Sequence, residues 1–175
     1  MKRYARLLLL ISAAVVSLRA DPVLDLPVTT EDGRSVHFLS DVVAGKTAFI
    51  NFIYTDCGGM CPMQGRNFAV LSHALRDRLA KDVVLISISI APEVDTPAKL
   101  ARWKARYAPA TGWTCLTGDP ATIRQLLKSL IGDISPQAGH NATAVVMYPG
   151  TQRIEQFSSM SGPGEFARRL DPAVK

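Results

Sequence analysis

Cysteine is scarce in this chain, three among 175 residues, and three cannot build a disulfide framework; one pair and one odd residue describe a site instead. Histidine is equally scarce, so His37, His73 and His140 are the only imidazoles on offer. Nothing repeats and no segment is low in complexity, which excludes repeat architectures and biased tails. The apolar stretch Leu7 to Val16, closed by Arg19, is short of the roughly 20 residues a membrane-spanning helix needs. An excess of one charge is missing too. The formal +5 falls to +1 once residues 1–20 are set aside, because they hold Lys2, Arg3, Arg6 and Arg19 and no acid. The basic balance therefore gives no ground for nucleic-acid binding.

What is present begins with that leader. Three early basic residues, the apolar stretch, and Leu18-Arg19-Ala20 before Asp21-Pro22 outline a secretory signal peptide over residues 1–20. The alternative is an uncleaved membrane anchor, since Leu18 is bulky for a position three before a cleavage point. No cysteine lies near that point, so lipid attachment is not expected there. Residues 21–175 then make one domain, able to bury its own core without staples. An exported chain works where disulfides persist.

The organising stretch runs from Asn51 to Met63. Thr47 to Tyr54 is rich in β-branched and aromatic residues and reads as a buried strand. Gly58-Gly59 supplies a permissive turn, and Pro62 suits a first helical turn. Phe68, Leu71, Leu75 and Leu79 then recur at helical spacing. Cys57 and Cys61 sit on this strand-loop-helix junction, with Cys61 near the helix N-terminus, where unpaired N–H groups favour a thiolate. A disulfide, two thiolates on a soft metal, or two packed thiols are all open to such a pair. The spacing does not choose, although Asp56, Gly58 and Gly59 describe an exposed turn rather than a core.

Along the rest of the chain, Glu31-Asp32-Gly33-Arg34 signals a turn, with Val36 and Phe38 in a short hairpin arm, and Asp41 to Lys46 reads as a loop. Val83 to Ile90 reads as a buried parallel strand. Asp95 or Thr96 caps a helix over 97–107 with Pro97 at its first position. Trp113 to Leu116 is a strand, Asp119-Pro120 caps a helix to about Ile131, and strands at 143–148 and 153–157 precede a last helix, 165–170. Strands separated by helices, then a hairpin and a helix, make an α/β sandwich with a mixed sheet. The cysteines fall at the carboxyl end of a strand, a favoured location for sites.

For the remaining candidates, Cys115 lies in the apolar run Trp113 to Leu116 and reads as a packing residue. His37 alternates with Val36 and Phe38 and should face solvent, while His73 lies beside the helical stripe, exposed or packed. His140 ends a glycine-containing loop just before a strand, a place from which a loop can fold over a neighbouring strand end.

Together these residues resemble a known family. Phe52-Ile53-Tyr54-Thr55-Asp56-Cys57-Gly58-Gly59-Met60-Cys61-Pro62 is similar to the hallmark of the Sco/SenC copper proteins, and Ser87 to Pro97 is similar to the second signature. Trp113, Leu116-Thr117-Gly118 and His140 follow in the family's order. The resemblance covers about residues 23 to 170. It implies a thioredoxin-like fold and one copper ion, Cu(I) or Cu(II), held by Cys57, Cys61 and His140. It also implies work in the periplasm or its equivalent, on the binuclear copper centre of cytochrome c oxidase or a related copper enzyme. The partner implied is a copper-receiving oxidase subunit or another copper enzyme, alongside a second periplasmic copper chaperone or a thiol reductant. A monomer is expected.

The residues agree on chemistry: two thiolates favour Cu(I), imidazole is acceptable to either state, and zinc would want a fourth ligand that is not evident. Two departures stand out, Ala91 and Gly139, where many members carry acids. Met60 and Met63 add soft donors close by, with packing the safer reading of Met63. The competing function is a thiol-disulfide oxidoreductase whose redox pair is Cys57 and Cys61. A peroxidase would want a threonine three positions before its cysteine in a proline-led turn, and Thr55 stands two before Cys57.

Overall fold

The computed structural model of the protein describes residues 22–132, 142–151 and 153–170. Seven strands form one mixed sheet in the order β2-β1-β5-β4-β3-β6-β7. They are β1 (Pro27–Thr30), β2 (Ser35–His37), β3 (Thr47–Ile53), β4 (Val83–Ser89), β5 (Trp113–Thr117), β6 (Thr143–Met147) and β7 (Ile154–Ser158). The helices are α1 (Cys61–Ala74), α2 (Pro97–Ala105), α3 (Pro120–Ile131) and α4 (Pro163–Leu170).

The expected mixed α/β sandwich is present, and the reason lies in β3 and β4. Both are buried at all seven positions, so each needs cover on both faces. Parallel pairing of β3 with β4 and of β4 with β5 requires crossovers, which α1 and α2 supply. Alternation along β3 sends successive side chains to opposite faces. Ile50 and Phe52 join Phe38, Ile86, Ile123 and Leu127 under α3, whereas Phe49 and Ile53 join Phe68, Trp103, Trp113 and Phe166 under α1, α2 and α4. The hairpin arm is β1 and β2, closed by the turn at Gly33, whose φ is 86°, and it docks antiparallel on β5.

Two elements differ from the sequence reading. α1 ends at Ala74 rather than near Leu79. The chain has to reverse into β4, so Leu75 and Leu79 keep their apolar contacts in turns, and Ala80 takes a left-handed φ of 64°. Phe38–Val43 forms a short π-helical turn in place of a plain loop from Asp41. Its opening is tied down by Asp25, whose carboxylate accepts from the N–H groups of Leu39 and Ser40 at 2.7 and 3.2 Å. Among the described residues, no helix is long and apolar enough to cross a membrane. Residues 1–20, with the expected leader, lie outside the described residues.

Candidate functional site

The carboxyl ends of β3 and β4 are tied together by one buried carboxylate. Asp95, 1% exposed, accepts from the Thr55 N–H at 3.2 Å, the Thr55 hydroxyl at 2.6 Å and the Ser89 hydroxyl at 2.7 Å. Ser89 in turn accepts from the N–H of Ala91. The capping role read for Asp95 or Thr96 belongs to Thr96 alone, which accepts from the Lys99 N–H at 3.3 Å. Asp95 sits one position too early to cap and turns inward, because it alone there can satisfy the donors of the loop that carries the cysteines. Outside this knot, Asp56 is exposed and meets Lys99 at 3.5 Å.

From Thr55 the chain turns through Gly58 and Gly59 and enters α1 at Cys61, with Pro62 in its first turn. Cys57 is half-buried and Cys61 is 5% exposed; both are free thiols. Partial burial works against ionisation of Cys57. The Cys61 thiol, the N–H groups of Cys61 and Gly59 and the Tyr54 hydroxyl all donate to its sulfur, and together they hold it below the ordinary thiol range. Burial pushes Cys61 the other way, to about 12, and the bond from the Tyr54 N–H does not offset it. The thiolate expected at Cys61 therefore belongs to Cys57. Free N–H groups of a first helical turn point out of the helix end toward the preceding residues, where Cys57 waits, while Cys61 turns sideways into the core beside Phe68. Donation to Cys57 also raises the Tyr54 hydroxyl above its usual range.

The two sulfurs line a recess of about 220 Å³ together with Phe52, Tyr54, Met60 and Gln64. Gln64 is 2% exposed, and its Oε1 has no hydrogen-bond partner among the described residues. Such orphan acceptors are rare in folded proteins. Sequence reasoning missed Gln64, Tyr54 and the true role of Asp95. Gln64 stands three positions after Cys61 on one helix face, a signal that was available; nothing local marks the other two.

The remaining candidates are dispersed. His37 is exposed as expected, with Nδ1 3.5 Å from the Asp25 carbonyl. His73 is exposed on α1, its Nε2–H donating to the Ala108 carbonyl at 3.0 Å. Neither lines the recess. His140 and Gly139 lie outside the described residues. Among the described residues, no three His, Cys, Asp or Glu side chains gather as a metal cluster. Cys115 is fully buried, and burial raises its thiol, in keeping with a packing residue. Met63, read as packing, is instead 48% exposed, because the first turn of α1 carries it away from the sheet.

Comparison with known proteins gives a consistent picture. The SCO1/SenC family model matches residues 25–174. A SCO1 protein homolog of Bacillus subtilis (strain 168) is 33% identical over 89 residues, which are 50% of this chain and 45% of that protein, so the match spans a little under half its length. Among solved structures, BsSco, described as a member of the Sco family of cytochrome c oxidase assembly proteins with a disulfide switch, superposes with a TM-score of 0.72 at 22% identity. It covers 88% of this chain and 95% of that one. ScoI of Bradyrhizobium japonicum, solved with copper bound, gives a TM-score of 0.64 at 27% identity over 83% and 94% of the two chains. The fold is the thioredoxin-like fold of these proteins.

Proposed function

The chain belongs to the SCO1/SenC family, and from that premise we propose that it is a copper metallochaperone that binds copper through Cys57, Cys61 and His140. Its service is the assembly of the binuclear copper centre of cytochrome c oxidase or a related copper enzyme. The observation that carries this reading is the pair of cysteines lining one recess, at the carboxyl end of the central strand. The donor set fits the cargo. Two thiolates suit Cu(I), an imidazole is acceptable to both oxidation states, and an open three-ligand site suits hand-over. Met60 adds a soft thioether to the lining.

His140 is proposed as the third ligand on chain order and register. β6 runs antiparallel to β3 with Asn51 opposite Ala144, so the chain enters β6 at the end of the sheet where β3 leaves for Cys57. The site of action proposed is the periplasm or its equivalent, reached through the leader at residues 1–20, which is either cleaved or kept as an anchor. Recipients are a copper-accepting oxidase subunit or another copper enzyme.

A copper titration of the reduced protein tests the reading, with the thiolate-to-Cu(II) absorption as readout. Wild type should bind one copper tightly, Cys57→Ser should lose the band, and His140→Ala should weaken binding. Stoichiometric binding unaffected by all three replacements, with Cys61→Ser as the third, would sink it.

A second reading is a thiol-disulfide oxidoreductase acting on the cysteines of a copper-protein target, and one observation favours it. Cys57 is accessible and held toward the thiolate, whereas Cys61 is buried and held as a thiol, the asymmetry of an attacking and a resolving cysteine. The Cys57 thiolate would open the target disulfide to a mixed disulfide. One target sulfur leaves as a thiolate in that step; Cys61, losing its proton, would then attack the Cys57 sulfur, displace the target sulfur still bonded to it and leave a Cys57–Cys61 disulfide, two electrons having passed to the target. A redox couple unchanged in His140→Ala, in a chain that binds copper weakly, would move the assignment here.

A further inference from the structure

A groove of about 620 Å³ opens on a flank of α1, lined by Pro62, Arg66, Val70, His73, Arg106 and Tyr107. It starts one residue after Cys61 and runs along α1. Its volume falls within the ~300–1,000 Å³ of binding clefts. The far wall is the segment that follows α2, and it is fastened to α1 by two hydrogen bonds. His73 donates to the Ala108 carbonyl at 3.0 Å, and the Ala110 N–H donates to the Ser72 hydroxyl at 2.9 Å. The Tyr107 ring lies against the bare backbone of Gly65, where a Cβ would stand 2.4 Å from it. The groove is thus built and held open.

Its charge is unbalanced. Arg66 and Arg106 come from different elements, line the same cleft, are exposed, and have no acidic partner among the described residues. Several other surface arginines are matched, Arg78 to Asp82, Arg124 to Glu93 and Arg153 to Glu155, while Arg102, outside the groove, has no acidic partner among the described residues either. Two guanidinium groups lining one cleft without a counter-charge repel each other and present forks that match carboxylates. Between and beyond them the surface is apolar, with Val70 53% exposed and Met63 48% exposed. Arginine, tyrosine and methionine are the residues that interfaces favour.

We propose that this groove receives an acidic, partly apolar segment of the protein with which the chain exchanges its cargo. The inference rests on the reading of Cys57 and Cys61 as an exchange site. A protein partner that reaches those sulfurs must cover roughly 800 Å² of this surface, far more than the recess offers, and the groove's lining begins at Pro62, the residue after Cys61. A protein segment fits better than a lipid surface, because the cations line a concavity instead of a convex face.

The test is an NMR titration of the full reduced, metal-free chain with a synthetic hexapeptide of alternating glutamate and leucine. Saturable shifts at Arg66, Val70, His73, Arg106 and Tyr107 are expected. Binding should weaken about fivefold or more between ~10 mM and ~150 mM salt, as the screening length falls from about 30 to about 8 Å. Arg66→Glu with Arg106→Glu should abolish it, and the paired lysine variants should retain part of it. Equal shifts with a glutamine-for-glutamate peptide would overturn the proposal. So would equal shifts with inorganic phosphate, which would mark a small-anion site, or a response confined to phosphatidylglycerol vesicles, which would mark a membrane face. Copper uptake by the charge-reversed chain should match wild type. A failed peptide titration with normal copper uptake counts against the groove alone, and failed copper uptake in wild type counts against the metal reading alone.

Discussion

Thr55 donates both its backbone N–H and its hydroxyl to the single buried carboxylate of Asp95, at 3.2 and 2.6 Å. Thr55 is the last residue before the cysteine turn that is buried, so this pairing fixes where the turn starts. The carboxylate also holds Ser89 at the end of the neighbouring strand, which makes it a clasp between β3 and β4.

Asp95→Asn should lower stability by about 2–3 kcal/mol, because an amide nitrogen would face donors and hydrogen bonds to a charged group are worth about 1.5–3 kcal/mol. Denaturant unfolding measures it. Ser89→Ala should cost less, about 1 kcal/mol. If the two variants lose the same amount, the clasp is not centred on Asp95.

The thiol asymmetry predicts an order of modification. In the reduced native protein, iodoacetamide should label Cys57 first, and the rate should fall as pH drops through a value below the ordinary thiol range, since only the thiolate reacts. Cys61, pushed up to about 12 by burial, should resist throughout, and Cys115 should react only after unfolding. Tyr54→Phe removes one donor to Cys57 and should move its rate profile to higher pH. Peptide mapping by mass spectrometry reads all of this.

Gln64 sets stability against site chemistry. Its unpartnered Oε1 carries a desolvation cost of about 1–3 kcal/mol, so Gln64→Leu, close in volume, should raise the stability of the metal-free protein by about 1 kcal/mol. The same change should alter the absorption of the copper-loaded protein. A loss of thermal stability in the metal-free variant would show that Oε1 is bonded to ordered water in solution.

At Gly65 two effects compete. Replacing a mid-helix glycine by alanine gains about 1 kcal/mol of helix propensity, while driving a methyl into the Tyr107 ring costs about 1–3 kcal/mol of overpacking. Gly65→Ala should therefore be destabilised by about 1 kcal/mol, with Tyr107 displaced from the groove. Thermal unfolding together with the Tyr107 ring resonances checks both.

How much of this could be read from the chain itself depends on how far each residue's partners lie along it. β3 was legible because six of its seven positions are apolar or β-branched, Asn51 being the exception. α3 was legible from Asp119, which accepts from the Thr122 N–H at 2.9 Å as its cap spacing implies. The cysteine turn was visible for the same reason, every cue lying within ten residues. Asp95 was misread because its partner Thr55 is 40 positions away, and a cap was the nearest local explanation. The thiolate was placed on the wrong cysteine because proximity to a helix end was weighed without the direction of its N–H groups. The end of α1 was overrun since Leu75 and Leu79 keep helical spacing while serving in turns.

The register of β3 has a consequence for how the protein is made. Its parallel neighbour β4 is reached only after a whole crossover, and its antiparallel neighbour β6 lies near the end of the chain. Non-local pairing of this kind forms late, and chains emerge N-terminal end first. The cysteine turn therefore leaves its point of synthesis long before the strands that shelter it. Cys57 and Cys61 begin as two equivalent, unguarded thiols, open to any oxidant or stray metal, and become unequal only when the last strands close around β3.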